Sequence, residues 1–280
     1  MSNIFMRYPG GRVKALTLSY DDGVEQDLRL IAIMNAHGLK GTFNLNSELY
    51  APEGHVWPEG TIHRRMTRNQ VLSAYTASGM EVAVHTATHP RLDCLPLNLC
   101  TCEIMRDRQN LERDFGVLVR GGAYPHGALN DHVVESMRQC GIVYARTTVS
   151  TEKFDLPADW LRLPATCHHK NPRLMELAKA FAESTVRRYP QLFYLWGHAY
   201  EFEEQNNWHV IEEFAAYMGN RLDIWYATNI EICDYVSAFK QLIFSMDQRK
   251  VYNPTATELF FETNQTVYSV KPNETIVIPL

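Results

Sequence analysis

Short apolar runs alternate with stretches of helical spacing along most of the chain. Residues 13–19 (VKALTLS) read as a strand, and apolar positions at helical spacing follow over 28–37 until Gly38 stops them. Residues 41–45 (GTFNL) form the next strand. Thr67 stands where a cap belongs, ahead of a helix over 69–79 that Gly79 closes. A strand over 80–84 (MEVAV) runs straight into His85. The same reading gives a helix over 98–115, a strand over 117–121, a helix over 131–140 closed by Gly141, and a strand over 142–145. A helix over 175–188 and a strand over 192–196 that ends at Gly197-His198 come next. A helix over 209–220, a strand over 224–227 and a helix over 230–242 complete the series.

Strand–helix alternation at this length predicts an α/β fold around a parallel sheet, either closed as a barrel or doubly wound. In a barrel the chemistry gathers where strands end, because the following loops converge there. Residues 251–280 change character, with many Thr, Asn, Val and Ile and the breaks Asn253-Pro254 and Lys271-Pro272. They predict two or three short strands. The expected division is a catalytic domain over 1–246 and a small β-rich extension over 247–280.

Composition narrows the partners rather than the chemistry. With 45% hydrophobic and 21% charged residues, the 280-residue chain has the makings of a sizeable core. A net charge of −5 and the lack of Lys/Arg runs leave no footprint for nucleic acid or for an anionic membrane. No basic start leads into a signal-like apolar stretch, so a cytoplasmic protein is expected. The six cysteines form no CxxC pair and are expected as free thiols; Cys100 and Cys102 offer a CxC without a second pair to complete a metal site.

Four polar clusters sit just past strand ends. Ser19-Tyr20-Asp21-Asp22-Gly23 follows the first strand. Adjacent carboxylates repel each other there, and a cation on one relieves the pair and leaves the other free as a base. A solvated Asp-Asp-Gly turn is the plain alternative. His85-Thr86-Ala87-Thr88-His89-Pro90 carries imidazoles four apart, a spacing that lets both face one metal from a helical turn. Gly121-Gly122-Ala123-Tyr124-Pro125-His126-Gly127 is a loop flexible enough to aim backbone N–H groups at an oxyanion. Leu195-Trp196-Gly197-His198 delivers a further imidazole to the same rim. Each cluster has an ordinary structural explanation; their order is what distinguishes the set.

In that order the clusters resemble the motifs of the polysaccharide deacetylase family (carbohydrate esterase family 4, with its NodB homology domain), over roughly residues 10–240. LSYDDG resembles the family's T-F-D-D-G, HTATHP its H-[ST]-x-x-H-P, YPHG its Pro-Pro-Tyr-Gly loop, and LWGH its Leu-x-His motif. The resemblance implies a distorted (β/α) barrel of this type, here with a small C-terminal β appendage. It implies a metal held by Asp22, His85 and His89, with Asp21 as general base and His198 as general acid. It also places the backbone N–H of His126 at the oxyanion, beside Tyr124 and Pro125. Two imidazoles and a carboxylate suit Zn²⁺, with Co²⁺, Ni²⁺ or another first-row ion as alternatives. The expected reaction is removal of an acetyl group, as amide or ester, from a small sugar or oligosaccharide. A metal-dependent amidohydrolase acting on a non-sugar amide, ureide or cyclic imide is the alternative.

The departures are equally specific. Ala123 stands where the family commonly has an Arg, which leaves Arg120 or Arg146 to orient Asp21, with Arg146 preferred. Trp196 joins Arg146 as a residue expected behind the reacting groups. The family's Asp-x-x-Asp-Trp motif has only a poor echo in Asp159-Trp160. His168-His169 is a candidate for lining the cleft, and Glu201 either touches substrate or caps a segment. Trp57, Tyr124, Trp160, Trp196, Tyr200 and Trp208 would serve either as sugar platforms or as packing.

Overall fold

The computed structural model describes residues 3–279. Along the chain run β1 (Phe5–Arg7), β2 (Lys14–Asp21), α1 (Asp27–Ala36), β3 (Gly41–Leu45), α2 (Arg68–Tyr75), β4 (Glu81–Val84), α3 (Leu97–Phe115), β5 (Gly121–Ala123), α4 (Asp131–Gln139) and β6 (Tyr144–Ser150). They are followed by β7 (Leu163–Ala165), β8 (Cys167–His168), α5 (Leu174–Ala182), β9 (Gln191–Gly197), α6 (Tyr200–Glu204), α7 (His209–Met218), β10 (Ile224–Tyr226) and α8 (Asn229–Phe239). The tail adds β11 (Ile243–Phe244), β12 (Lys250–Tyr252), β13 (Leu259–Thr263), β14 (Thr266–Val270) and β15 (Thr275–Val277).

The central sheet is parallel throughout, in the order β7-β6-β5-β4-β3-β2-β9-β8, with β10 also against β2. Its two ends are pieces of one run. β7 pairs with β6, β8 pairs with β9, and Thr166 alone separates them. The Thr166 N–H donates to Tyr194 O at 2.9 Å, while its own carbonyl accepts from Glu152 N–H at 2.8 Å. That run therefore draws the sheet round into a distorted barrel. It was not foreseen as a strand, because it is short, opens on Leu163-Pro164 and shows no alternation.

β2 explains how the barrel presents its chemistry. Its eight residues are all buried, but the two faces differ. Leu16, Leu18 and Tyr20 join the larger apolar core with Leu30 and Met34 of α1, each such side chain contributing about 1.5–3 kcal/mol of burial. Thr17, Ser19 and Asp21 alternate with them into a polar interior. Thr17 Oγ1 donates to Asn229 Oδ1 at 2.9 Å, and Asn44 Nδ2 donates to Ser19 Oγ at 2.9 Å and to Asp21 Oδ1 at 2.8 Å. Asp21 ends this column and Asp22 begins the loop beyond it.

Thr67 caps α2 as expected, in a reciprocal capping box with Gln70, and Thr228 and Glu231 form another at α8 that was not expected. Several expectations moved. The helix predicted over 69–79 ends at Tyr75, four residues before Gly79, and the tail expected to hold two or three short strands has four from Lys250 onward. The strand predicted over 117–121 pairs only from Gly121, and Val117 and Leu118 before it are exposed. The helix predicted over 175–188 stops at Ala182.

The tail forms two antiparallel three-stranded sheets. One is β11-β12-β15. The other is a β13–β14 hairpin, turning at Asn264 and Gln265 with φ of 51° and 63°, to which β1 adds from the far end of the chain. Among the described residues no helix is long and apolar enough to cross a membrane. All six cysteines are free thiols.

Candidate active site at the strand ends

Asp21 faces into the barrel from the last position of β2. Its Oδ2 meets the Arg146 guanidinium, which arrives from β6 and lies 4.4 Å from the centre of the Trp196 ring. Burial works to raise the Asp21 pKa, but the charge of Arg146, then His85 and His198, outweighs it and holds the carboxyl below its ordinary range. Asp21 is an anion without a water shell. Arg120, the other arginine considered, instead pairs with Asp234.

Asp22 turns to the opposite side through a left-handed backbone (φ 87°). His63 Nε2 lies 3.2 Å from its Oδ2, and Arg65 Nη2 lies 3.1 Å from its Oδ1. Burial opposes its ionisation, yet the His63 contact and the Arg65 charge hold its pKa far below normal. His63 and Arg65 had no motif to announce them. They sit in the long connection between β3 and α2, anchored by Arg64 to Glu25 and Glu203.

Residues 85–89 form no helical turn. Thr86 and His89 are left-handed, with φ of 65° and 56°, and the loop is held from outside. Asn46 Nδ2 donates to the carbonyls of His85 and Thr86 at 2.5 and 2.9 Å. From α3, Asp107 Oδ2 accepts the His85 N–H at 2.9 Å, and Glu103 Oε2 accepts the N–H and hydroxyl of Thr88 at 2.9 and 3.0 Å. These contacts carry both imidazoles to Asp22, so that one donor atom from each of Asp22, His85 and His89 lies within 4.8 Å of the others.

The donor set fits a divalent first-row cation. His85 Nδ1 lies 2.9 Å from Ala123 O, a carbonyl that can only accept, so Nδ1 carries the proton and Nε2 keeps its lone pair. Burial lowers the pKa of His85, and burial together with the His85 charge brings His89 down to about 3. Two neutral imidazoles and one carboxylate are the ligands Zn²⁺ and its neighbours take.

His198, just past β9, places Nε2 3.7 Å from Asp21 Oδ2 and Nδ1 3.5 Å from Glu201 Oε2. Burial alone would lower its pKa; Glu201, then Asp21 and Asp22, reverse this and raise it, favouring imidazolium. His126 is left-handed (φ 57°) in the turn after β5, its ring 4.5 Å from that of His89. Gly127 and Ala128 spend their N–H groups inside that turn, on Tyr124 O and Pro125 O. Tyr124 itself is buried and donates to Leu161 O at 2.8 Å, so its ring faces the core and only its backbone borders the loop. Pro125 is likewise buried. Four non-glycine residues of the rim (Asp22, Thr86, His89 and His126) thus share the left-handed backbone region, strain of the kind that gathers where geometry is dictated by chemistry.

The aromatic candidates divide. Tyr200 stacks its edge between His63 and His198, at 4.7 and 5.4 Å, and borders the cleft. Trp208 packs under Arg29 and Phe202, and Trp57 donates to Arg65 O. Asp159 accepts from Leu161 N–H and pairs with Arg162, leaving Asp159-Trp160 as a local turn.

Residues 8–145 match the family model described as polysaccharide deacetylase. The match takes in the Asp-Asp, His-x-x-x-His and Tyr-Pro-His-Gly segments and ends before Trp196-Gly197-His198. A search among curated proteins gives no match. Among solved structures, a polysaccharide deacetylase of Mycobacterium smegmatis, described as putative, shares 18% identity with a TM-score of 0.60, over 83% of this chain and 93% of its own. A family 4 carbohydrate esterase from Streptomyces lividans, solved with acetate, shares 16% identity with a TM-score of 0.51, over 77% and 93%. The Streptococcus pyogenes deacetylase PplD, also with acetate, shares 20% identity over 52% of this chain with a TM-score of 0.46, and this chain spans 61% of its length.

Proposed function

We propose that the protein is a metal-dependent deacetylase that hydrolyses an N-acetyl, or O-acetyl, group on a small sugar or oligosaccharide. The observation that carries this reading is the convergence of Asp22, His85 and His89 within 4.8 Å of one another, next to the ionised Asp21. A divalent cation, Zn²⁺ in the first instance, held by those three side chains would polarise the acetyl carbonyl and acidify water.

The chain's own residues do the rest. Asp21, aimed by Asn44 and Arg146, takes the proton of the attacking water. The His126 N–H, presented by its left-handed turn, donates to the oxygen that gains charge. His198 Nε2–H gives its proton to the departing nitrogen, which otherwise leaves as an unstable anion. Tyr200 and His63 form a wall against which a sugar ring would rest.

The test is acetate release from a panel of N- and O-acetylated sugars, with cyclic imides and allantoin alongside, before and after chelation. Turnover of acetylated sugars that chelator abolishes and Zn²⁺ or Co²⁺ restores is expected. Hydrolysis confined to the imides and ureide, or acetate release indifferent to chelator, would exclude the proposal.

A further inference from the structure

The mechanism above leaves unused a buried anion on the acid's side of the cleft. Glu201 is 9% exposed. Its Oε2 lies 3.2 Å from His168 Nε2, 3.2 Å from His169 Nε2 and 3.5 Å from His198 Nδ1, and it accepts the His198 backbone N–H at 3.3 Å. Its Oε1 is 2.7 Å from Lys170 Nζ. The sequence offered it no role beyond a cap or a substrate contact.

The surroundings are built for this carboxylate. His169 is slotted between Tyr20, stacked at 5.8 Å, and Phe202, stacked at 4.1 Å. Gly197 makes room for that ring, since a Cβ there would fall 2.0 Å from His169 Nδ1. On the other side, His168 Nδ1 accepts the Lys170 N–H at 3.1 Å, so a neutral His168 carries its proton on Nε2, toward Glu201. That polarity makes His168 a donor toward an anion rather than a ligand of a second cation, although His168, His198 and Glu201 approach closely enough to hold one.

We propose that Glu201 is the positioning residue of the general acid, holding His198 with Nδ1–H turned to Oε2 and Nε2–H turned to the reacting bond. This rests on the reading of His198 as the acid. When the Nε2–H proton passes to the leaving nitrogen, the imidazolium becomes neutral and Nδ1–H stays with Glu201.

The groups facing His198 are Asp21 from β2 at 3.7 Å, Glu201 and Tyr200 from α6, His168 from β8 with rings 6.3 Å apart, and Trp196 of β9 at 6.0 Å. Asp21, Asp22 and Glu201 all favour imidazolium, and Glu201 Oε2, 3.5 Å away, is the carboxylate oxygen on the Nδ1 side. Losing Glu201 removes that carboxylate and one of the three nearby negative charges.

The experiment compares Glu201→Gln, Glu201→Asp and His198→Ala with the parent across pH, together with ¹⁵N spectra of the parent's imidazoles. For Glu201→Gln, kcat falls about 10- to 100-fold, the alkaline limb of the kcat profile moves to lower pH, and KM and bound metal stay as they were. Glu201→Asp recovers part of both, and the His198 Nδ1 signal is that of a protonated nitrogen at neutral pH. A Glu201→Gln enzyme with the parent's kcat and alkaline limb, an unprotonated Nδ1, or a second equivalent of Zn²⁺ lost with Glu201 overturns the inference. Should Glu201→Gln not fold, the Asp variant and the parent's spectrum decide. A His198→Ala enzyme working at the parent's rate would sink the acid itself. An inactive His198→Ala beside a normal Glu201→Gln removes only the role of Glu201.

Discussion

Arg146 reaches Asp21 across 125 residues of chain, and their side chains are 1% and 3% exposed. Neither charge has water to fall back on, so each is tolerated because of the other. Arg146→Met leaves Asp21 as an uncompensated buried carboxylate. Urea unfolding should then show a loss of about 3–5 kcal/mol, the range for breaking one side of a buried pair. A loss below about 1 kcal/mol, typical of a surface pair, would contradict the description.

Binding and proton transfer are assigned to different residues, and substitution separates them. His85→Ala should lower metal content in elemental analysis. Asp21→Asn should retain the metal while kcat drops by roughly 100-fold or more, the contribution expected of a general base. An Asp21→Asn protein with full activity would discard the assigned base.

The loop carrying His85 and His89 is shaped by a side chain that touches neither ring. Asn46→Ala removes both hydrogen bonds to the His85 and Thr86 carbonyls and one of the acceptors of Arg65, which keeps Asp22. Metal affinity should weaken by about 10-fold or more, as for other outer partners of ligating histidines, when titrated with Zn²⁺ in a competing chelator. Unaltered affinity would mean the loop holds its shape unaided.

Three buried carboxyls outside the reacting set give the fold a pH dependence. Burial raises Asp27 to about 8 and Glu81 and Asp107 to about 7. The unfolded chain has released these protons by about pH 5 while the fold still holds them, so this contribution to stability is lost as pH rises toward the folded values. The depressed histidines His85, His89 and His169 act in the opposite sense only below about 6.5, where unfolded imidazoles take up protons. Between pH 6.5 and 8 the carboxyls therefore dominate. The urea midpoint of the metal-stripped protein should fall over that interval, and Asp27→Asn should flatten the fall. A midpoint that rises there would show these carboxyls to be ionised in the fold.

What the sequence displayed and what it hid follow from how far each feature reaches. β3 falls on residues 41–45 as the GTFNL run predicted, since an apolar run between turn residues needs no knowledge of its partners. The Asp-Asp, His-x-x-x-His and Gly-His clusters stand out because polar residues directly after buried strands are conspicuous. His63 and Arg65 do not, because they lie in a connection with no periodicity and meet Asp22 only after folding. β1 is three residues long, and its partner Phe261 is met only at the other end of the chain. The helical turn expected from His85 to His89 gave way to left-handed residues, because Asn46, Glu103 and Asp107 dictate that loop's shape from other elements.

The run from Leu163 to His168 has a further consequence. His168 ends that run and His169 follows it, and the Nε2 atoms of both lie 3.2 Å from the same Glu201 oxygen. Gly197 of β9 leaves the hollow that the His169 ring fills, so any side chain at that position would push the ring off the carboxylate and loosen the seam where the sheet comes round on itself.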